Sequence, residues 1–417
     1  KAQMEKKENW NLQGAVDESK VQAAVDRFHG VCLGVAAALV DEGVATVEDT
    51  DRGAKIGLRW VMGPFEIMNK IGIAKTHSAV QAICRKYPDF KMPAILEKQL
   101  RLGKPFEFSF VDLEVKKDVA WITLNRPEAM NALNEAVVAQ LDRRFSEAEA
   151  DARVKAVVFR GAGKAFVAGA DIRYFVEKIK AGRIPDIVAF TRKGHELLLR
   201  IEESKKLTVA LLDGLSLGGG SELALACQAI IATPAGSMAF PETGIGIYPG
   251  LGGMLRMARH VGPALAKYFA FTGAPINAAD ALALGVVTRL VEPAAVEAAV
   301  RSLASGPKPD KYRSREIPTK FKAFADLFGT GSVELLLSGK TPAGANAELA
   351  GKLAKTLGYK APLALRIANE VVDRQANLSM REAVEAELGR LKEIFATADA
   401  LEGLSSVGRR RPEFKGA

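Results

Sequence analysis

The sequence predicts an α/β protein preceded by a small all-helical region. Three observations carry this prediction. Apolar residues recur at helical spacing over residues 20–105, and from Phe106 onward short β-rich runs alternate with long helical runs. Hydrophobic residues make up 48% of the 417 residues and charged residues 26%, which is ordinary globular usage. At about 100–200 residues per domain, this length favours a multidomain chain, which we divide into residues 1–104 and 105–417.

The charge and cysteine content exclude several classes of protein. The formal charge is +9, but the basic excess is spread along the chain and aromatic residues are only 7%, so we expect no nucleic-acid partner. Such a charge instead favours phosphorylated small molecules. No uncharged apolar run reaches the roughly 20 residues of a membrane-spanning helix, so no span is predicted. The three distant cysteines, Cys32, Cys84 and Cys227, predict no disulfide framework and a cytoplasmic location.

The opening stretch, residues 1–20, is polar and lacks the apolar core of a signal peptide. The chain opens on Lys1 and its first methionine is Met4, so we expect the sequence to be a trimmed piece. No glycine-rich turn follows a strand in this part, and a dinucleotide-binding unit is therefore not predicted here.

Three helices are predicted next, over residues 23–41, 47–59 and 65–71. Gly43 ends the first, and Thr46 with Asp49 has the spacing of a capping box for the second. Gly63 and Pro64 separate the second helix from the third, because neither residue continues a helix well. By itself this pattern indicates a small helical packing domain.

The segments DEGVA at 41–45, Glu48-Asp49 and MGPFE at 62–66 follow one another in this region. Their order resembles the C-terminal helical domain of 3-hydroxyacyl-CoA dehydrogenases over about residues 20–105. In that family the NAD-binding domain and the catalytic His and Glu lie upstream, and a substrate-side Asn-Arg pair falls here at Asp26-Arg27. The resemblance implies a remnant or degenerate copy without dehydrogenase activity of its own, so that NAD would bind only to an upstream domain.

The second region has the order of βαβ units. Predicted strands lie at residues 113–115, 120–124, 156–159, 209–212 and 229–232, and predicted helices at 135–151 and 187–204. Residues 307–345 are interpreted as an insertion before the last helices. A capping box at Ser379 and Glu382 starts a long helix with an apolar face made of Val384, Leu388, Leu391 and Phe395, predicted to pack in the core or against another subunit.

Two glycine-rich loops stand out, at residues 161–171 and 214–222. The second lies between a strand and a helix and contains Gly218, Gly219 and Gly220 in succession. Glycines let the backbone approach a ligand closely, and the first turn of the following helix offers free N–H groups. Such a loop stabilises developing negative charge. A phosphate would suit the same glycines, but the P-loop pattern is not matched.

Two carboxylates accompany these loops. Glu222 lies in the first turn of the helix after the glycines, and Glu242 follows Pro241 at the end of an apolar strand. Taken singly, Glu222 fits a complement to the helix dipole and Glu242 an exposed loop residue. Together with the loops they form the set of groups that proton transfer next to a carbonyl requires.

A closer resemblance rests on the following segments: LNRP at 124–127 with NAL at 131–133, KAF at 164–166 with AGADI at 168–172, LGGGSEL at 217–223, PE at 241–242 and PGLGG at 249–253. The region from Phe106 to the end resembles the enoyl-CoA hydratase/isomerase (crotonase) superfamily. This implies a crotonase (ClpP-like) fold, a spiral of ββα turns with C-terminal helices, assembled as a trimer or a dimer of trimers.

The resemblance also implies roles for individual residues. The backbone N–H groups of Ala170 and Gly219 would form an oxyanion hole, and Glu222 and Glu242 fall on both catalytic glutamates of true hydratases. Gly250 falls where the family's backbone helps to hold the water and the acyl chain. The remaining predicted contacts with coenzyme A are Ala129, Met130, Ala168, Asp171, Ile172, Arg173 and Lys415.

The activity implied is the reversible syn addition of water to a trans-2-enoyl-CoA of the crotonyl-CoA type, within a bifunctional hydratase and dehydrogenase of β-oxidation. It needs no cofactor beyond the CoA of the substrate. No metal is expected either, because the histidines (His29, His77, His195 and His260) have no ligand spacing and are interpreted as structural or exposed. Two alternatives remain open at this point, an enoyl-CoA isomerase and a non-catalytic acyl-CoA-binding module.

Overall fold

A computed structural model describes residues 17–313 and 315–417. The chain divides into two compact units between Ser109 and Phe110, whereas the sequence placed the boundary between residues 104 and 105. Most of the polar opening stretch lies outside the described residues, and so does Ser314 of the predicted insertion.

The described part of the first unit is helical, as predicted. Its helices are α1 (Glu18–Asp41), α2 (Val47–Gly57), α3 (Pro64–Ile71), α4 (Ile73–Lys86) and α5 (Ala94–Leu102). Helix α1 begins five residues earlier than predicted because the Asp17 side chain accepts hydrogen bonds from the N–H groups of Ser19 and Lys20. Helix α2 begins as predicted, with the Thr46 hydroxyl accepting from the Asp49 N–H. Helices α4 and α5 were not predicted from the sequence.

Helix α1 has an 18-residue window of mean hydropathy 1.5. By length and composition alone it is therefore able to cross a membrane, which the search for an uncharged apolar run did not detect. The same test is passed by core helices of folded domains, and α1 buries Leu33, Ala36 and Ala37 among the other helices of this unit.

The start of α3 depends on a buried carboxylate. Asp51, only 2% exposed, accepts hydrogen bonds from the backbone N–H groups of Phe65 (2.7 Å) and Glu66 (2.9 Å). These are two of the N–H groups that a helix start leaves without an intrahelical acceptor. Burial raises the pKa of Asp51 to about 6, although both hydrogen bonds oppose this.

The described residues of the second unit form two sheets. The strands are β1 (Val111–Lys116), β2 (Val119–Leu124), β3 (Ala156–Gly161), β4 (Ala165–Ala168), β5 (Leu207–Leu212), β6 (Leu215–Leu217), β7 (Ala229–Ala232), β8 (Ser237–Ala239), β9 (Ile276–Asn277) and β10 (Arg289–Leu290). The larger sheet has the order β1-β2-β3-β5-β7-β10 and is parallel except for the β1–β2 hairpin. The smaller has the order β4-β6-β8-β9, with β9 antiparallel. The predicted α/β class is confirmed.

Helices pack around these sheets and continue to the end of the chain. They are α6 (Glu135–Ala150), α7 (Ile172–Lys180), α8 (Ile184–Glu203), α9 (Gly219–Ala226), α10 (Gly253–Val261), α11 (Pro263–Thr272), α12 (Ala278–Ala283), α13 (Val296–Ser305), α14 (Thr319–Leu327), α15 (Ser332–Leu337), α16 (Ala347–Leu357), α17 (Pro362–Gln375), α18 (Met380–Phe395) and α19 (Ala398–Ser406). Helices α14 and α15 lie in the predicted insertion and bury Phe321, Val333 and Leu336.

Two predictions about loops need correction. The glycine-rich segments 161–171 and 214–222, predicted to be loops, each contain a short strand, β4 and β6 respectively. Both strands are only three or four residues long and pair with each other in the smaller sheet. The long helix with a capping box at Ser379 is confirmed as α18, and its four predicted apolar residues are all buried.

We expect Asp51→Ala to lower the free energy of unfolding of the first unit by about 1–3 kcal/mol, because it leaves the buried N–H of Phe65 and the partly buried N–H of Glu66 without an acceptor. Chemical denaturation followed by circular dichroism measures this. Asp49→Ala is the matched control, since the Asp49 side chain is more than half exposed and pairs with Arg52. Equal stability of the two variants would contradict the role given to Asp51.

Candidate active site

The site begins where three parallel strands of the smaller sheet end at one level. Ala168 of β4 pairs with Leu217 of β6, and Leu217 pairs with Ala239 of β8. Ala170 lies two residues after the end of β4, and Gly219 lies two residues after the end of β6. Glu242 lies three residues after the end of β8. Because parallel strands present their carboxyl ends at one edge, residues far apart in the sequence meet here.

Glycine is required at positions 218 and 220 for different physical reasons, and position 219 is less restricted. Gly218 has φ 45°, and a side chain there would collide with the carboxylate of Glu242. A side chain at Gly220 would collide with the carbonyl of Val167, so only glycine lets α9 pack this closely on β4. Gly219 is more open, with Cδ1 of Leu133 the nearest atom at 3.3 Å from the position of a Cβ.

Two backbone N–H groups are presented at this edge. Ala170 lies opposite Leu133 in a parallel β-bridge, whose two hydrogen bonds are made by the residues on either side of Ala170. The carbonyl of Gly169 accepts from the Leu133 N–H, and the N–H of Asp171 donates to the Leu133 carbonyl. The N–H of Ala170 therefore faces away from Leu133. Gly219 is the first residue of α9, where an N–H has no intrahelical acceptor. Both residues line the same cavity, as an oxyanion hole requires.

Glu222 is buried at the base of this cavity, with 2% of its surface exposed. Its Oε1 accepts hydrogen bonds from the backbone N–H groups of Leu251 (2.7 Å) and Gly253 (2.9 Å). Two N–H donors on one carboxylate oxygen stabilise its ionised form.

Glu242 lines the same cavity and is 7% exposed. Among the described residues its Oε2 has no hydrogen-bond partner. A buried carboxylate oxygen without a donor favours the protonated acid, which is able to donate.

The electrostatics of the two carboxyls are linked. Burial raises the pKa of Glu242 to about 8. Burial and the neighbouring Glu242 raise the pKa of Glu222 well above its ordinary value. Two carboxylates this close in an apolar cavity do not both ionise at neutral pH. The two N–H donors of Leu251 and Gly253 act on the pKa of Glu222 in the opposite direction to burial, whereas Oε2 of Glu242 has no donor among the described residues. From these hydrogen bonds, and against the direction that burial gives Glu222, we infer that the charge of the pair lies on Glu222 and the proton on Glu242.

The cavity has a volume of about 360 Å³ and is mostly apolar. Apolar side chains contributed by the residue Leu133 before α6, by α6, α7 and α8, and by the C-terminal segments form much of its wall: Leu133, Val138, Phe175, Phe190, Leu391, Phe395, Leu404 and Val407. The rings of Phe175 and Phe395 stack with their centroids 5.2 Å apart. The site therefore joins an apolar chamber to a small polar edge, the usual composition of a small-molecule site.

The other predicted site residues divide into two groups. Met130, Ala168, Ile172 and Gly250 line the cavity together with the four predicted catalytic residues. Ala129, Asp171, Arg173 and Lys415 are outside its described lining.

The structure shows other contacts for three residues of this second group. Asp171 pairs with Arg126 and Arg173, both at distances of 3.1–3.2 Å, and caps the start of α7. The backbone N–H of Lys415 donates to Asp399 at 2.7 Å.

Two buried polar residues near the site were not predicted as part of it. His195, interpreted as structural or exposed, is 1% exposed and contacts the carbonyl of Gly250. Glu387 was not predicted at all and is 0% exposed on α18. Its only sequence signal is a carboxylate adjoining the apolar face of a helix. Over the residues that the structure covers, no group of three or more His, Cys, Asp or Glu is arranged to hold a metal.

Comparison with known families agrees with this geometry. Residues 119–415 match the model of the enoyl-CoA hydratase/isomerase family. The chain belongs to that family. Residues 24–106 match the C-terminal domain of 3-hydroxyacyl-CoA dehydrogenase, so both resemblances predicted from the sequence are confirmed.

Individual relatives show the same relationship. A short-chain-enoyl-CoA hydratase of Clostridium acetobutylicum is 38% identical over 200 residues, 48% of this chain and 75% of the relative. A mitochondrial 3-hydroxyisobutyryl-CoA hydrolase of Danio rerio is 30% identical over 305 residues, 69% of this chain and 79% of the relative. The crystal structure of an enoyl-CoA hydratase from Rhodobacter sphaeroides superposes with a TM-score of 0.64 at 28% identity, covering 74% of this chain and 93% of that one. The crotonase fold is therefore confirmed.

The proton assigned to Glu242 predicts a pH-dependent gain in stability for Glu242→Gln. Because the pKa of Glu242 is raised in the folded state, the parent loses stability as the pH rises from about 4.5, the pKa of this glutamate in the unfolded chain, to about 8, its pKa in the folded chain. A neutral amide at this position contributes no such loss. The thermal midpoint of the variant should therefore exceed that of the parent by a margin that grows between pH 5 and pH 8. The exposed Glu413→Gln is the control. A margin independent of pH would contradict the assignment.

Proposed function

We propose that this chain is an enoyl-CoA hydratase, which adds water reversibly to a trans-2-enoyl-CoA to give a 3-hydroxyacyl-CoA. The observation that carries the proposal is one apolar cavity lined by two buried carboxyls and two residues that present backbone N–H groups. Membership of the family and the names of the relatives support it.

In the proposed reaction the thioester oxygen accepts hydrogen bonds from the N–H groups of Ala170 and Gly219. This withdraws electrons from the conjugated double bond and makes C3 electrophilic. The negative charge that develops on the oxygen is stabilised by both donors at the start of α9. Loss of one donor of this kind typically costs about 100–1,000-fold in rate.

The two carboxyls divide the transfer of protons. Ionised Glu222 accepts a proton from a water molecule while the water oxygen bonds to C3, and protonated Glu242 donates its proton to C2. The product gains one hydroxyl and one hydrogen, and the proton left on Glu222 replaces the one lost from Glu242. General acid–base assistance of this kind is typically worth about 100–10,000-fold.

Thioester hydrolysis is the second candidate, because the Danio rerio relative is named a hydrolase and its match is longer than that of the short-chain hydratase. Crotonyl-CoA and 3-hydroxyisobutyryl-CoA distinguish the two reactions. Hydration removes the conjugated chromophore of crotonyl-CoA and releases no thiol, whereas hydrolysis releases the free thiol of CoA. Double-bond migration in a 3-enoyl-CoA would indicate an isomerase, and binding without turnover a non-catalytic module.

The proposal extends to the setting of the enzyme. The dehydrogenase-like first unit supports a bifunctional hydratase and dehydrogenase of β-oxidation, in which an upstream domain would bind NAD. We further propose a homo-oligomer, a trimer or a dimer of trimers as in the resembling family, located in the cytoplasm. Light scattering of the purified chain measures the assembly, and NADH formation from 3-hydroxybutyryl-CoA measures any oxidation by the chain alone.

Glu222→Gln and Glu242→Gln are each expected to lower kcat for crotonyl-CoA hydration by at least about 100-fold, because an amide neither accepts nor delivers the proton. The change in absorbance of crotonyl-CoA measures the rate, and circular dichroism confirms the fold. Glu348→Gln, on the exposed surface of α16, is the control. Parent-like turnover in either site variant would refute its role.

The pH profile of kcat/KM for hydration should fall on the alkaline side near pH 8. The raised pKa of Glu242 is about 8, and the acid is lost as pH rises through that value. Stopped-flow measurement of crotonyl-CoA hydration between pH 6 and 9.5 gives the profile. A constant kcat/KM across that interval would mean that Glu242 is not the proton donor.

The aromatic side chains of the cavity are expected to restrict acyl-chain length. Phe175→Leu should raise kcat/KM for trans-2-octenoyl-CoA relative to crotonyl-CoA by about 10-fold, since accommodating even one more methylene group in an apolar pocket is worth about 1–3 kcal/mol. Phe321→Leu, which alters a buried ring that does not line the cavity, is the matched control. An unchanged ratio would show that Phe175 does not limit chain length.

A further inference from the structure

The segment Gly250 to Gly253, which leads into α10, is held by two different carboxylates. The N–H groups of Leu251 and Gly253 donate to Glu222. The N–H group between them, that of Gly252, donates to Oε1 of Glu387 at 2.7 Å. Successive peptide N–H groups of this segment thus alternate between a proposed catalytic carboxylate and a second buried one.

Glu387 is itself firmly fixed. It lies in the middle of α18 with 0% of its surface exposed, 135 residues along the chain from Gly252. Its Oε2 accepts a hydrogen bond from Nε2 of Gln375 on α17 at 3.1 Å. Its backbone carbonyl accepts from the hydroxyl of Tyr248 at 2.7 Å. A buried carboxylate with donors on both oxygens is a rigid anchor for a loop.

His195 on α8 completes the support. Its Nε2 lies 2.8 Å from the carbonyl oxygen of Gly250 and 3.4 Å from Oε1 of Glu387. Both of these atoms only accept hydrogen bonds, so Nε2 must carry a proton. The imidazole therefore joins the start of the segment to the same carboxylate that holds its middle.

We propose that Glu387 is a positioning residue for the hydration reaction: it fixes the segment 250–253 so that two of its N–H groups hold Glu222 ionised and aligned. Glu387 is not among the residues lining the cavity and acts only through the segment. The proposal rests on the proposed hydratase function and adds to it a residue from the helices that follow the insertion.

The charge of Glu387 has a second effect, because it favours the protonated forms of the carboxyls nearby. It contributes to the raised pKa of both Glu222 and Glu242. The titratable and charged groups around it and the segment include His195 on α8, Tyr248 before the segment, and the buried Arg256 on α10, whose Nη1 donates to the carbonyl oxygens of Leu251 and Gly252. Removing the charge while keeping an acceptor for Gly252 should therefore move the pH profile without displacing the segment.

Two variants separate position from charge. Glu387→Ala removes the acceptor of the Gly252 N–H and should lower kcat for crotonyl-CoA about 10–100-fold while KM stays within about 3-fold. Glu387→Gln keeps an acceptor oxygen, should recover most of the lost kcat, and should shift the alkaline limit of the profile to lower pH. Glu385→Gln, an exposed neighbour on α18 paired with Arg192, is the matched control and should behave as the parent.

The outcomes are distinguishable from failure of the proposed function. If the parent does not hydrate crotonyl-CoA, the proposed function is wrong. If the parent is active, a folded Glu387→Ala variant with parent kcat overturns the positioning role of Glu387, and a Glu387→Gln variant with the parent pH profile overturns the effect of its charge. Should Glu387→Ala not fold, Glu387→Asp, which shortens the side chain and withdraws the acceptor from Gly252, replaces it, and parent kcat in that variant overturns the positioning role. Circular dichroism and the Kd for free CoA establish that each variant is folded.

Discussion

The site depends on one electrostatic constraint: two carboxyl groups buried in one apolar cavity do not both ionise at neutral pH. Glu222 receives two backbone N–H donors, whereas Oε2 of Glu242 has no partner among the described residues. This asymmetry gives one group the role of base and the other the role of acid. The smaller sheet brings the two carboxyls to one cavity, because its strands β4, β6 and β8 end at one level.

Much of the fold was predictable because its signals are local. The capping boxes at Thr46 and Ser379 and the β-rich runs before Glu222 depend only on neighbouring residues, and the elements were found within a few positions. The strands β4 and β6 were not predicted, because strands of three or four residues have little pattern of their own. Helices α4 and α5 were passed over, although α4 places Ile73, Val80 and Ile83 on one buried face.

The site was predictable where its chemistry lies in a short motif. Glu222 and Glu242 were identified as carboxylates accompanying the glycine-rich segments, Ala170 and Gly219 were implied by the family resemblance of those segments, and all four line one cavity. The support of Glu222 was not predictable, because Glu387 approaches Gly252 across 135 residues and only tertiary packing brings them together. Predicted CoA contacts such as Lys415 were carried over by position alone, which does not determine where a tail residue packs.

Infrared spectroscopy of the protonated carboxyl group tests the central claim most directly. At pH 7 the parent should show the carbonyl stretch of a buried, protonated carboxylic acid, and this band should disappear in Glu242→Gln and persist in Glu222→Gln. The band should also decline as pH rises through about 8, the raised pKa of Glu242. Absence of the band in the parent, or its loss in Glu222→Gln alone, would contradict the division of charge on which the mechanism depends.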